Sequence, residues 1–291
     1  MTCRTDDQVL HLPDGRRLGF AEYGARGGRP LLFFHGTPGA RVLARVAHEV
    51  AFSHNVRLIA PERPGFGRSE FQAGRRIADW PDDVAALADA LGLDRFAVAG
   101  VSGGGPYALA CAMRLPERIP IVGIVSGMVP LDEPASAAAL PLRERRIFAL
   151  LRRAPWVGRA LAAAAVPVAR RYPNQAFDLL AAHALVPDRT ILQRPEIRAG
   201  LIDDMREALG GGGHGAIHEL VLFSRPWGFR PADVQVPVVL WHGEADAQVP
   251  VAIARRLARQ IPTCQARFLA GAGHFWLLDH YEEVLATLCP G

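Results

Sequence analysis

Lysine is missing altogether: the 33 basic side chains of this 291-residue chain are all arginine, set against 29 acids for a net charge of +4. A phosphate-cradling P-loop needs a lysine after its glycines, so that class is excluded at once. The arginines come with abundant Ala, Gly and Pro, which points to coding bias before function. Runs of basic residues interleaved with aromatics are also lacking, and with them the surface that a nucleic-acid partner requires. Only four cysteines occur, Cys3, Cys111, Cys264 and Cys289. They show no metal-like clustering or evident pairing, and read as reduced packing residues rather than disulfides or a zinc site. Every longer apolar stretch is interrupted by Arg or Pro, so no integral membrane segment is expected. The start, MTCRTDDQ, carries acids where a secretory signal needs a basic start and an apolar core, and the cytoplasm is the expected location. No internal repeat is visible.

What is present is a half-hydrophobic chain, long enough for one large domain or a domain with an insertion. Residues 8–23 alternate around PDGRRLGF and predict an antiparallel hairpin with Pro13, Asp14 and Gly15 in its turn. Six short apolar runs follow, RPLLFFHG (29–36), NVRLIAPE (55–62), RFAVAGV (95–101), IPIVGIVSG (119–127), VPVVLWHG (236–243) and QARFLAG (265–271). They are mostly separated by helix-length segments, the alternation of an α/β protein with a mostly parallel central sheet. One such helix, Asp79 to Leu91, starts with Asp79 as N-cap and closes at Gly92. The alternation lapses between 131 and 225, where helical patterns broken by Pro141, Pro155, Pro167, Pro173, Pro187 and Pro195 replace strands. This predicts a core of residues 1–130 and 226–291 with a helical lid, 131–225, inserted into it. Arg143–Arg153 and Glu196–Leu209 read as amphipathic helices of that lid, and GGGGHG (210–215) as a flexible hinge.

The densest signal is RFAVAGVSGGGPYALACAMRL, where an apolar strand runs through a single serine into a helix whose first turn holds Pro106. Gly100, Ser102 and Gly104 have the G-x-S-x-G spacing of a nucleophile elbow, which presents the serine oxygen above the sheet. Glycine two residues to either side fits a crossing of strand and helix too tight for a Cβ. Gly103, Gly104 and Gly105 do not fit the G-x-G-x-x-G phosphate turn. A serine needs a base to take its proton and an acid to orient that base. Asp246, just after VVLWHG, and His274, in LAGAGHF, follow in chain order at the ends of strands, where open α/β sheets build sites. Asp132, after the preceding strand, is the competing acid. The developing oxyanion needs donors, expected to be the N–H of Gly103 and one from HGTPGAR. Thr37 is the candidate there, since Pro38 has no N–H to give, and His35 is expected to orient the loop.

With HGTPG, RPGFGRS, GVSGGG, HGEAD and GAGHF in this order, the chain resembles the α/β-hydrolase superfamily, in particular its lid-bearing members, over residues 8–130 and 226–291. The resemblance implies an α/β-hydrolase fold with Ser102 as nucleophile, His274 as base, Asp246 as orienting acid, Thr37 and Gly103 as oxyanion donors, and no cofactor. It implies a small-molecule substrate, with a carboxylic ester or related acyl bond as the favoured target. Carbon–carbon hydrolysis, perhydrolysis and lyase or cyclase chemistry are the alternatives on the same fold, and a non-catalytic small-molecule receptor is the alternative class. A serine at 102 speaks against the branches that attack with a carboxylate there. Glu62 departs from the Asp frequent before RPGFGRS, and Gly103 from the bulky residue that some relatives carry.

Other features have milder readings. His214 and His218, with Glu219 beside them, could share a helix face as a metal pair, but no third ligand stands at a recognisable spacing, and pocket lining or a solvated face is the expectation. Trp156, Trp227 and Phe229 flank the lid and are expected to pack against the core at its hinge, with substrate contact as the alternative. Residues 143–171 hold eight Arg against Glu144 alone, a balance of +7 that reads as a solvated face, with attraction of an anionic substrate or a membrane surface as the alternative. The oligomeric state is left open, a homodimer included.

Overall fold

The computed structural model describes residues 5–182 and 184–291; the expectation for Cys3 lies outside them. Among these residues Cys111, Cys264 and Cys289 are free thiols. Eight strands form one sheet: β1 Thr5–His11, β2 Arg17–Gly24, β3 Arg29–Phe34, β4 Val56–Pro61, β5 Ala97–Val101, β6 Val122–Val125, β7 Val238–Gly243 and β8 Cys264–Leu269. Their spatial order is β1-β2-β4-β3-β5-β6-β7-β8. The hairpin β1–β2 joins β4 antiparallel, and all later pairs are parallel, the right class for βα crossovers. This is the α/β-hydrolase fold expected from the sequence. The first five apolar runs contain their strands, trimmed at one or both ends, and β8 starts one residue before the sixth, at Cys264.

Period-two side chains are buried on both faces, which is why the runs read as continuously apolar. Leu32, Phe34 and Val98 join one core with the helices Trp80–Ala90 and Gly105–Arg114. Leu31, Phe33 and Ala97 join the other, with Ala44, Ala47, Ala51 and the helix Tyr281–Leu288. Asp79 precedes the first of these helices but gives it no side-chain cap; its carboxylate instead accepts the Arg76 N–H at 2.8 Å and closes the short turn Ile77–Asp79.

Between β6 and β7 the sheet is interrupted, among the described residues, by seven helices from Pro134 to Phe223. Leu142–Arg153 and Pro195–Ala208 match the two amphipathic helices expected there. Five of the six prolines stand at helix starts, where a missing N–H costs nothing; Pro167 alone lies inside a helix, Pro155–Arg171. The segment has a small core of its own, with Val166, Phe177, Leu192, Ile202, Met205 and Leu209. All eight arginines of 143–171 are exposed, in keeping with a solvated face. The glycine run is exposed at Gly210 and Gly211 and packed at its end: a Cβ on Gly215 would lie 2.6 Å from the Gly65 carbonyl oxygen, and Gly213, at φ 75°, leads directly into the helix His214–Phe223. Trp227 is buried in the main core with Phe229 against it, as expected, whereas Trp156 is 65% exposed. No helix among the described residues is long and apolar enough to cross a membrane.

Candidate active site

Parallel register brings the carboxyl ends of the central strands level. Phe34 stands opposite Gly100, Val101 opposite Val125, and Val125 opposite Trp241. Ser102 leaves β5 at φ 51°, a left-handed conformation that side chains rarely adopt, and opens the turn Ser102–Gly104 into the helix Gly105–Arg114. The flanking glycines are required by contact. A Cβ on Gly100 would sit 2.4 Å from the Gly104 carbonyl oxygen, and one on Gly104 would sit 2.3 Å from that of Phe34. Strand, turn and neighbouring strand therefore close on one another only without side chains. The Ser102 side chain is left partly exposed at the tip. Gly103, second in the turn, carries one of the N–H groups that a helix start leaves without an internal partner.

Asp246 and His274 meet from the loops after β7 and β8. His274 Nδ1 lies 2.8 Å from Asp246 Oδ2, and both residues are buried. Asp246 Oδ1 accepts the N–H groups of Gln248 and Val249, each at 2.8 Å, which fixes the carboxylate plane. A carboxylate only accepts, so Nδ1 carries the proton and Nε2 keeps its lone pair. Burial by itself would push the His274 imidazole down, but the charge and hydrogen bond of Asp246 outweigh it and hold the histidine above its ordinary value. Burial likewise works against the Asp246 carboxylate, and the His274 side chain, by charge and hydrogen bond, holds it below its ordinary value. His242, 3.4 Å from Asp246 Oδ2, is a further neighbour of the pair. Ser102 Oγ makes no hydrogen bond among the described residues, so the structure joins His274 to the acid and leaves the serine contact open. Apo sites often hold that contact loosely.

Two supports of this cluster carry no sequence motif. Ser126, at φ 49° after β6, donates its hydroxyl to the His274 carbonyl at 3.1 Å, while the nearby Met128 N–H reaches the Ser102 carbonyl at 2.9 Å. Asp188, from the helix Val186–Leu192 between β6 and β7, accepts the N–H groups of His274 at 3.0 Å and Phe275 at 2.9 Å.

The HGTPG loop follows β3. Its Thr37 lies against Gly103, where a Cβ would come within 2.2 Å of Thr37 Oγ1. His35 is buried and holds the loop as expected, Nδ1 donating to the Gly36 carbonyl at 2.7 Å and Nε2 accepting the Arg63 N–H at 3.2 Å. Beneath it, Arg63 donates through Nη1 to the His35 carbonyl at 2.6 Å and through Nη2 to that of Gly36 at 3.0 Å. Arg63 and Arg75 both pair with Glu219, at 2.6 and 3.0 Å, and all three are essentially out of solvent. Burial opposes the Glu219 charge, yet Arg63 first and then Arg75 overcome it and hold the carboxyl at about 2. The sequence reading set Glu219 beside a histidine pair for metal; its oxygens are turned to arginines instead. His218 and His214 face Phe71, at 5.4 and 6.3 Å between ring centroids. Glu62, the family departure, is buried against Arg41 at 2.7 Å and accepts the Arg68 N–H.

A family model described as the alpha/beta hydrolase fold matches residues 29–281. The chain is 26% identical over 267 residues to a 2-hydroxymuconate semialdehyde hydrolase of Pseudomonas putida, covering 88% of this chain and 84% of that protein. It is 29% identical over 276 residues to a non-heme chloroperoxidase of Streptomyces lividans, covering 92% and 93%. Among solved structures, a thermophilic esterase from Thermogutta terrifontis superposes with a TM-score of 0.66 at 24% identity, over 98% of this chain and 96% of that one, a likeness of fold. The sheet order, the elbow and a family match spanning most of the chain lead to one conclusion: this chain belongs to the α/β-hydrolase fold family and is a hydrolase of that family.

Proposed function

We propose that the protein is a serine hydrolase that cleaves a carboxylic ester or related acyl bond of a small organic substrate. Ser102 attacks the carbonyl, His274 Nε2 takes the serine proton and returns it to the leaving alcohol, and Asp246 holds the imidazole in the tautomer that can do so. Water then cleaves the acyl-enzyme by the same proton transfers in reverse. The N–H groups of Gly103 and Thr37 receive the oxyanion. All of this chemistry is available from protein groups, with no cofactor. The reading is carried by one observation: a left-handed serine at the end of β5 on the same sheet edge as a buried His–Asp pair at 2.8 Å. Residues 131–225 are proposed as the lid that shapes the acyl pocket.

The Pseudomonas relative favours one second reading, hydrolysis of a carbon–carbon bond beside a carbonyl, in which the same residues serve. Steady-state assays with p-nitrophenyl butyrate and with a vinylogous 1,5-diketone separate the two by kcat/KM. Ester turnover that is abolished in Ser102→Ala supports the proposal. Absence of turnover on both substrates would favour a receptor.

A further inference from the structure

We infer that Glu219 is a positioning residue for the oxyanion hole, fixing Thr37 beside Gly103 and tying the helical segment between β6 and β7 to the reaction centre. The inference rests on the serine hydrolase reading above and adds to it a residue from outside every family motif. Its chemistry is fully specified. Glu219 Oε1 accepts Arg63 Nε at 2.6 Å and Arg75 Nη2 at 3.0 Å; Oε2 accepts Arg63 Nη2 at 2.9 Å and the Thr37 hydroxyl at 2.5 Å. Four donors occupy the four lone-pair sites of the carboxylate. The Thr37 hydroxyl proton is thereby committed to Glu219, so what Thr37 can offer a substrate is its backbone N–H.

The same cluster sets where that N–H points. The Gly36 carbonyl is held by Arg63 Nη2 at 3.0 Å and His35 Nδ1 at 2.7 Å. Across a planar trans peptide the N–H points opposite to the carbonyl. The Thr37 N–H is therefore turned away from the buried guanidinium. Gly36 itself stands against the nucleophile, its Cβ position 3.5 Å from Ser102 Cβ. Arg63 aims the peptide, and Glu219 holds both Arg63 and Thr37. The carboxylate comes from the helix His214–Phe223, which also places Phe223 beside Gly103, within 3.0 Å of its Cβ position. Moving this helix away would strand two buried arginines, so this end of the segment is fixed scaffold, and any opening motion belongs to the helices before it.

The test compares Glu219→Gln, Thr37→Val and the double variant, with rates normalised to the burst of p-nitrophenol so that unfolded enzyme does not count. Each single variant should lose about 10- to 100-fold in kcat with KM within about threefold, because a misaimed donor costs less than the roughly 10²- to 10³-fold of a deleted one. Affinity for a trifluoromethyl ketone, which forms the tetrahedral adduct, should fall in parallel, while that for the product acid should not. The double variant should be no worse than the poorer single, since both break one link. Folded variants whose kcat and ketone affinity stay within twofold of wild type would overturn the inference, and Thr37→Val, which leaves both ion pairs intact, decides it if Glu219→Gln does not fold. A wild type that forms no ketone adduct, or a fully active Ser102→Ala, would instead sink the hydrolase reading, and this inference with it.

Discussion

Replacing Asp246 by Asn keeps the shape of the side chain and removes one acceptor, and the surroundings dictate how the amide must sit. With its oxygen at the Oδ1 position, the two 2.8 Å bonds from Gln248 and Val249 survive, and the NH2 group faces His274. Turned over, the NH2 would meet those two N–H groups, leaving two buried donors unsatisfied at about 1–3 kcal/mol each. The first orientation wins. His274 must then accept at Nδ1 and carry its proton on Nε2, the wrong tautomer for taking a proton from Ser102. The expected loss is on the order of 10⁴-fold in kcat, the size seen when a triad histidine is held in the wrong tautomer, with stability changed by less than about 1 kcal/mol. A second consequence concerns pH. In the wild type the acid limb of kcat/KM should lie above the ordinary histidine value of 6.5, because Asp246 overcomes burial; in the Asp246→Asn variant only the weaker charge of Asp188 still opposes burial, and the limb should move down. Ester hydrolysis measured from pH 5 to 9, with urea denaturation as the folding control, reads both. Asp132→Ala should stay within about twofold of wild type. An Asp246→Asn enzyme within tenfold of wild type and with an unmoved acid limb would refute the assignment, and a collapse in Asp132→Ala would transfer it.

Further outcomes follow from other contacts. Gly104→Ala places a methyl 2.3 Å from the Phe34 carbonyl oxygen, in backbone that must shift, and should cost about 1–3 kcal/mol in urea denaturation; an unchanged midpoint would contradict the close crossing. Asp188→Ala leaves the N–H groups of buried His274 and half-buried Phe275 without their acceptor and should cost about 2–4 kcal/mol while lowering kcat, and wild-type values for both would show that the helical segment does not support the base. Glu219, held at about 2 when folded against 4.5 unfolded, contributes stability that is present above pH 4.5 and lost as pH falls towards 2, on the order of 3 kcal/mol; a flat stability profile over that range would contradict the pairing with Arg63 and Arg75. Exchanging residues 131–225 for those of a relative that keeps the acids equivalent to Asp188 and Glu219 should change the rank order of kcat/KM across acyl chain lengths, and an unchanged order would place the pocket elsewhere.

The difference between what was legible in the sequence and what was not is largely one of range. Gly100, Ser102 and Gly104 are contiguous, and a spacing of two residues on either side of a serine already encodes the steric demand of the elbow. The strands were legible because both faces of the sheet are buried, so their composition needs no partner to be understood. Asp246 and His274 could be found from their places after strands, although nothing local says that they touch. Asp188, Asp204 and Glu219 could not be found this way. Asp188 bonds to residues 86 and 87 positions away, Asp204 accepts the Ala40 N–H at 3.0 Å across 164, and Glu219 meets Thr37 across 182. One signal was there for Glu219. It falls on the buried face of its helix with Gly215 and Leu222, and a carboxylate on an apolar face must find a cation. Reading it with His218 looked to the neighbour in sequence, when the partners lay in the core. Five of the six prolines do break the helical pattern, each at the start of a new helix, whereas Pro167 lies inside one, which spacing alone does not reveal.

The central claim is that Ser102 becomes acylated during turnover. Wild type and His274→Ala should be mixed with a slowly hydrolysed chromogenic ester, quenched in acid and digested, and the peptide containing Ser102 weighed. The account predicts the acyl mass on that peptide together with a burst of released alcohol in the wild type, and both slowed by roughly three or more orders of magnitude without the base. Ready turnover with no burst, no adduct and full activity in Ser102→Ala would contradict it.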